Sequence, residues 1–192
     1  MLIVSQVIDR INGLIEKICL VLILLSTLIS ALNALIRKIF SFSSNAFLEI
    51  QWYFFAAVFM LGAGYVFLKN GHVRIDFLSS KFSPRLRNFV DIFGIVFFLF
   101  PFCYLLITLS WPVFEQAWIT GEVSSNEGGL IRWPVLILIP VGFSLLTLQG
   151  VSEIIKRVAF LTGKGPDVLA PESDSKVAEE HLKLNSNPDT IS

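Results

Sequence analysis

Three residues of the segment GHVRIDFL, at positions 71–78, have side chains that could do chemistry: His72, Arg74 and Asp76. If the segment is helical, His72 and Asp76 share a face at i and i+4, and Arg74 points elsewhere. A metal or haem site is not expected, because no cysteine lies nearby and no second histidine lies in the apolar part of the chain. A nucleophile–base pair is also missing. We therefore predict no enzyme activity and no cofactor, and expect either a membrane-surface anchor or a contact for another protein.

Glu49 is the second candidate, because it is the only acidic residue in an otherwise apolar run and has Gln51 and Trp52 beside it. An ionisable group in a membrane segment is costly and is a candidate functional residue for that reason. Three interpretations stay open from the sequence. The carboxylate could cap the start of a helix at the headgroup level, where the helix dipole favours it. It could instead contact a partner protein or couple transport to a proton.

The composition is typical of a membrane protein. The chain has 192 residues, of which 54% are hydrophobic and 16% are charged. A soluble domain of this length would have about a quarter charged residues. The formal net charge is zero, so a nucleic-acid partner is not expected.

Four apolar runs are long enough to cross a bilayer as helices, which takes about 20 residues each. They do not alternate between apolar and polar residues, as the strands of a membrane barrel would. The sequence therefore predicts an all-α integral membrane protein with four transmembrane helices, at about residues 18–36, 48–68, 89–111 and 130–151.

The two ends of the chain differ from this apolar region. Residues 1–17 have apolar side chains at helical spacing and predict an amphipathic helix, which either lies on the membrane or extends the first span. A cleavable signal peptide is not expected, because no small-residue cleavage site follows the long apolar core. Residues 162–192 are polar and contain no aromatic residue, which predicts a disordered tail.

The basic residues predict the orientation. If both termini are cytoplasmic, all but three of the 15 Lys and Arg residues face the cytoplasm; the exceptions are Arg37, Lys38 and Arg132. The segment 112–129 then faces outside and has no basic residue. This asymmetry follows the positive-inside rule. The tryptophans support the same orientation, since all of them fall at or beyond the outer ends of the predicted helices: Trp52, Trp111, Trp118 and Trp133.

The two cysteines are expected to be free thiols. Cys19 lies at the inner end of the first span, and Cys103 lies about 20 Å deeper, at 1.5 Å per helical residue. That separation is too large for a disulfide.

Several motifs together resemble the small membrane subunit of TRAP transporters, the DctQ-like family. Glu49 and Trp52 open the second span, Gly-Ala-Gly lies near its inner end, and GHVRIDFL follows. The resemblance continues through the acidic, glycine-containing loop into the fourth span and covers about residues 15–160. The matching residues of the fourth span are Trp133, Pro140, Gly142, Phe143 and Gln149.

The resemblance implies a three-part, sodium-driven importer of organic acids in the bacterial inner membrane. A periplasmic substrate-binding protein would capture the substrate, and a large permease subunit would bind substrate and sodium. The small subunit would dock on the large one, with a stoichiometry near 1:1, and hold it in the bilayer. It would need no cofactor, and its candidate interface or structural residues are Glu49, Trp52, His72, Arg74 and Asp76. The alternative is a self-contained, proton-coupled exporter of four helices with Glu49 as the proton site.

Overall fold

The computed structural model of the chain describes residues 2–40, 45–69, 83–126, 128–163 and 165. These residues form four helical spans. Each is long and apolar enough to cross a membrane. In the described residues, the β-structure consists of one isolated antiparallel bridge between Val123 and Ile131. The prediction of an all-α protein with four membrane helices is therefore confirmed.

The four spans consist of six α-helices and one π-helical turn. The first span is α1 (Leu2–Phe40), and the second span is α2 (Asn45–Leu68). The third span is continuous and contains α3 (Pro84–Gly94), a π-helical turn (Ile95–Leu99) and α4 (Phe100–Thr120). The fourth span begins with the short α5 (Trp133–Leu136) and continues as α6 (Leu138–Leu161).

Two of these spans extend well beyond the apolar runs. The amphipathic N-terminal segment is continuous with the first span, so it extends that helix. The third span continues past Trp111 and has Pro112 inside it. It ends where Gly121 adopts a left-handed conformation with φ +61°, a backbone angle that glycine adopts without steric cost. The helix therefore includes the polar and small residues after Trp111 and ends at Thr120, directly before Gly121.

The π-helical turn has a local cause. Pro101 has no N–H and its ring would clash with the carbonyl four residues before it. The helix widens just before this proline, and the N–H of Phe100 bonds to the carbonyl of Ile95, five residues back. Gly150 of the fourth span packs against this region, since a Cβ at Gly150 would lie 2.8 Å from Phe100 Cε1. The wider turn and the missing side chain together allow the third and fourth spans to approach.

The fourth span is the centre of the fold, because it packs against each of the other three. In its most apolar window, 33% of the residues are buried, against 6–11% in the other spans. Gly142 allows a close approach to the second span: a Cβ there would lie 2.5 Å from the carbonyl oxygen of Met60. Many apolar side chains of the first, second and third spans are exposed.

Cys19 and Cys103 are both free and buried. The segment 70–82, which contains GHVRIDFL, and nearly all of the predicted tail lie outside the described residues. The helix before the tail ends at Leu161.

Candidate functional site: two buried polar clusters

The carboxylate of Glu49 is buried near the start of the second span and accepts hydrogen bonds from three donors. The Ser124 hydroxyl and the Asn126 amide both donate to Oε1, the latter at 2.7 Å. The backbone N–H of Leu130 donates to Oε2 at 2.7 Å. All three donors belong to the loop between the third and fourth spans. Glu49 therefore joins the second helix to this loop. We call Glu49, Ser124, Asn126 and Leu130 the outer cluster, after the orientation that the basic residues predict.

Backbone hydrogen bonds within the loop hold it in the conformation of this contact. The N–H of Ser124 bonds to the carbonyl of Leu130 at 2.9 Å, and the N–H of Arg132 bonds to the carbonyl of Glu122 at the same distance. The side chains of Arg132 and Glu122 also form an ion pair. Gly129 packs closely, since a Cβ there would lie 2.6 Å from Ser124 Cβ. These contacts direct the hydroxyl, amide and N–H donors towards one carboxylate.

Trp52 does not share this environment. It lies in the same helix as Glu49 but is 73% exposed, and its side chain is not among the hydrogen-bond partners of Glu49 in the described chain. Tyr53 is the neighbour that contacts the far side of the loop, because its hydroxyl donates to the carbonyl of Ile131 at 3.1 Å. His72, Arg74 and Asp76 lie outside the described residues.

A second polar cluster lies at the other end of the fourth span. Four of its residues are fully buried: Gln149, Ser152, Glu153 and Arg157. Gln149, Glu153 and Arg157 recur every four residues and Ser152 lies three residues after Gln149, so all four lie on one side of the helix. Lys156, one turn after Ser152, adds a half-buried ammonium group beside them.

The first span supplies the facing side chains. The hydroxyls of Ser5 and Ser152 are 2.7 Å apart, and the Asn12 amide donates to Gln149 Oε1 at 2.8 Å. Asp9 Oδ1 accepts from Ser152 Oγ at 2.8 Å and from Gln149 Nε2 at 3.0 Å. The N-terminal part of the first span is thereby fixed to the fourth span by side-chain hydrogen bonds.

Ion pairs continue the network. Lys156 Nζ lies between two carboxylates, 2.8 Å from Asp9 Oδ2 and 2.7 Å from Glu153 Oε1. Arg157 pairs with Glu153 on its own helix and reaches Asp91 Oδ2 in the third span, with Nη2 at 3.1 Å. We call these charged residues, together with their hydrogen-bonded neighbours Ser5, Asn12, Gln149 and Ser152, the inner cluster. It links three of the four spans.

The polar groups of both clusters bond to other parts of the chain and can stabilise the fold. Buried charges are tolerated when each is paired and hydrogen-bonded, and removing one partner leaves the other uncompensated. In the described residues no group of three or more His, Cys, Asp or Glu side chains is placed to hold a metal ion. The inner cluster therefore ties three helical spans together, and the outer cluster ties the second helix to the loop before the fourth span.

Sequence reasoning does not identify the inner cluster. Of its residues, Gln149 is named from the sequence, as part of the motif that resembles the DctQ-like family. A usable signal is present, because residues 5, 9 and 12 form a polar stripe at helical spacing, as do residues 149, 153 and 157. Two such stripes on otherwise apolar helices predict that the helices face each other, since buried polar groups need partners.

Comparison with known proteins identifies the family. The model of the DctQ component of tripartite ATP-independent periplasmic (TRAP) transporters matches residues 26–160. The chain is also similar to a Haemophilus influenzae protein provisionally named a TRAP transporter small permease protein, with 30% identity over 109 residues. That alignment covers 55% of this chain and 65% of the relative, so it spans less than two thirds of the relative. The family match covers the fourth span, both ends of the Glu49 contact and most of the inner cluster, and the chain belongs to the DctQ family of TRAP transporter components.

Proposed function

We propose that this chain is the small membrane subunit of a TRAP transporter and that it acts as a scaffold for the large permease subunit. The transporter would import organic acids, driven by sodium. The chain would be a multi-pass protein of the bacterial inner membrane with both termini in the cytoplasm. Membership of the DctQ family and the similarity to a small permease protein support this proposal.

The observation that carries the scaffold role is the use of the buried polar groups. A transport pathway needs polar or ionisable side chains that face a cavity or the substrate. Here the buried ionisable side chains Glu49, Glu153 and Arg157 are each bonded to other parts of the chain. Such pairings tie the helices to one another, which is what a scaffold for a moving subunit requires.

The exporter alternative is not favoured. In that alternative Glu49 would be the proton site. A carboxylate that couples transport to protons is expected near the middle of the membrane. Glu49 instead lies in the first two turns of the second span, and three donors from one loop occupy its carboxylate oxygens. This arrangement supports a structural role for Glu49.

The partners follow from the proposed role. The large permease subunit would bind with a stoichiometry near 1:1, and a periplasmic substrate-binding protein would deliver the substrate. Trp52 is a candidate residue for the subunit interface, because it is exposed one turn from the buried Glu49. Tryptophan is enriched at interfaces, where its ring packs and its N–H finds a polar partner.

His72, Arg74 and Asp76 are proposed to form a structural element at the cytoplasmic surface. Arg74 would bond to lipid phosphate or to the large subunit, since a guanidinium can make two parallel bonds to such a group. Asp76 would cap the following turn or pair with a nearby basic residue. The test is Arg74→Ala and Asp76→Ala, scored for co-purification with the large subunit and for uptake. Normal assembly and transport in both variants would show that these residues are only solvated surface.

The scaffold role is tested by reconstitution in liposomes with a sodium gradient. The chain alone should move no organic acid. The chain combined with the large permease and the substrate-binding protein should restore uptake, and it should co-purify with the large permease in mild detergent. Sodium-driven uptake by the isolated chain would refute the scaffold role.

A further inference from the structure

A cleft between the first and second spans, near the chain's N-terminus, collects basic side chains. It has a volume of about 470 Å³ and is lined by Arg10, Lys17 and Lys69, with Glu16 as its acidic residue. The outer and inner clusters do not include any of these side chains. All three cations are exposed, and within the described part of the chain none of them forms an ion pair.

Tyr65 organises the cleft. Its ring and the Glu16 side chain both line the cleft. The Lys69 ammonium lies 5.9 Å from the centre of the Tyr65 ring, within the range of a cation–π contact. Lys69 follows directly after the last residue of the second span, and its N–H bonds to the Tyr65 carbonyl at 3.0 Å. The ammonium group is thus held at the edge of the apolar helix.

Gly13 forms the floor of this cleft. Glycine is disfavoured inside a helix relative to alanine, so an interior glycine often marks a close approach. Gly64, Gly142 and Gly150 fit this rule, because a Cβ on any of them would clash with a neighbouring helix. A Cβ on Gly13 would meet nothing within 4 Å. Among the described residues, the space beside Gly13 is therefore open, in a cleft that the three cations also line.

The shape and position of the cleft select the ligand. Three cations and one carboxylate give the lining a net positive charge, which favours an anion. Leu14 and Leu68 add apolar side chains to the lining. A ligand that fits both parts has a phosphate at the level of Lys69 and acyl chains along the helices. Basic side chains at the end of a membrane helix attract anionic lipids in this way.

We propose that the cleft formed by Arg10, Gly13, Lys17 and Lys69 binds the phosphate headgroup of an anionic phospholipid. The bound lipid ties the N-terminal part of the first span to the inner end of the second span. This binding belongs to the chain itself, so it does not depend on assembly with a permease or on transport.

The test uses the full-length chain in mild detergent with added phosphatidylglycerol or phosphatidylcholine, and native mass spectrometry measures the bound lipid. The unmodified chain should retain phosphatidylglycerol in preference. Replacing Arg10, Lys17 and Lys69 together with alanine should weaken that retention at least tenfold, since each cation near the surface contributes about fivefold. Gly13→Phe should also weaken it, because the ring fills the cleft while every charge remains.

Two controls and a competitor complete the design. Gly13→Ala and the pair Arg37→Ala with Lys38→Ala, at the other end of the same helix, should both retain the lipid. Helix content by circular dichroism shows that each variant is folded. The three cations are exposed, so their replacement keeps the proposal testable even if Gly13→Phe misfolds. Unchanged retention in the triple variant would overturn the proposal, as would equal loss in the Arg37 and Lys38 control. Complete displacement by soluble glycerol phosphate would identify a site for a soluble anion instead.

Discussion

Arg157 in the fourth span forms an ion pair with Asp91 in the third span, with Nη2 3.1 Å from Oδ2. Arg157 is fully buried and pairs as well with Glu153, one turn earlier on its own helix. One guanidinium thus holds two carboxylates from two helices. Because the third span contacts the rest of the fold mainly through the fourth, this pair is a principal tie for that span.

Arg157→Ala should destabilise the chain by about 3–5 kcal/mol, because it leaves the buried Glu153 carboxylate with Lys156 as its remaining cation. Denaturant unfolding in mild detergent, followed by circular dichroism, measures the loss. The matched control is Arg85→Ala, an exposed arginine of the third span, which should change stability by less than about 0.5 kcal/mol. Equal effects for the two substitutions would show that the buried pairing contributes little.

Glu49→Ala should loosen the loop between the third and fourth spans, because the Leu130 N–H and the two side-chain donors lose their acceptor. Hydrogen exchange at Leu130 should accelerate about tenfold or more. Glu49→Gln should have a smaller effect, since its oxygen can still accept from Ser124 and Asn126 while its NH₂ group replaces the acceptor for Leu130.

Glu115→Gln, at an exposed position of the third span, is the control for removal of a negative charge, and its Leu130 exchange should match the unmodified chain. The same membranes can be scored for uptake and assembly with the large subunit. A Glu49→Gln variant that assembles fully, keeps its loop protected and does not transport would point to a direct role of Glu49 in coupling.

Gly142→Ala should separate the second and fourth spans, because the added Cβ would lie 2.5 Å from the Met60 carbonyl oxygen and 2.8 Å from its carbonyl carbon. Backbone atoms cannot move aside cheaply, so we expect a loss of about 1–3 kcal/mol in unfolding free energy. Gly94→Ala is the control, as its Cβ would meet nothing within 4 Å. That change should be neutral or stabilise the helix by up to about 1 kcal/mol. A Gly142→Ala chain as stable as Gly94→Ala would show that the close approach is not needed.

The proposed orientation predicts the outcome of reporter fusions. A reporter that works only in the cytoplasm should be active when fused after Leu161, because the basic residues concentrate on that side. A reporter that works only outside should be active when inserted near Asn126, in the outer cluster. The opposite pattern would reverse the orientation and with it the side of the membrane on which the basic cleft lies.

The fold class and the family follow from the amino-acid sequence alone. Long apolar runs can satisfy their backbone only as helices in a membrane, so four spans follow from composition and length. The motif residues Trp133, Pro140, Gly142 and Gln149 indicate the DctQ family by their types and spacing. Glu49 is also recognisable as unusual, because a lone acid in an apolar helix requires an explanation.

What these residues contact depends on the tertiary structure. Glu49 meets donors about 80 residues later in the chain, and Arg157 meets Asp91 66 residues earlier. Helical periodicity shows which residues share a face of one helix, but it contains no information on which face of another helix lies opposite. That choice depends on the packing of all four spans, where glycines such as Gly142 permit a close approach and each buried polar group must find a partner.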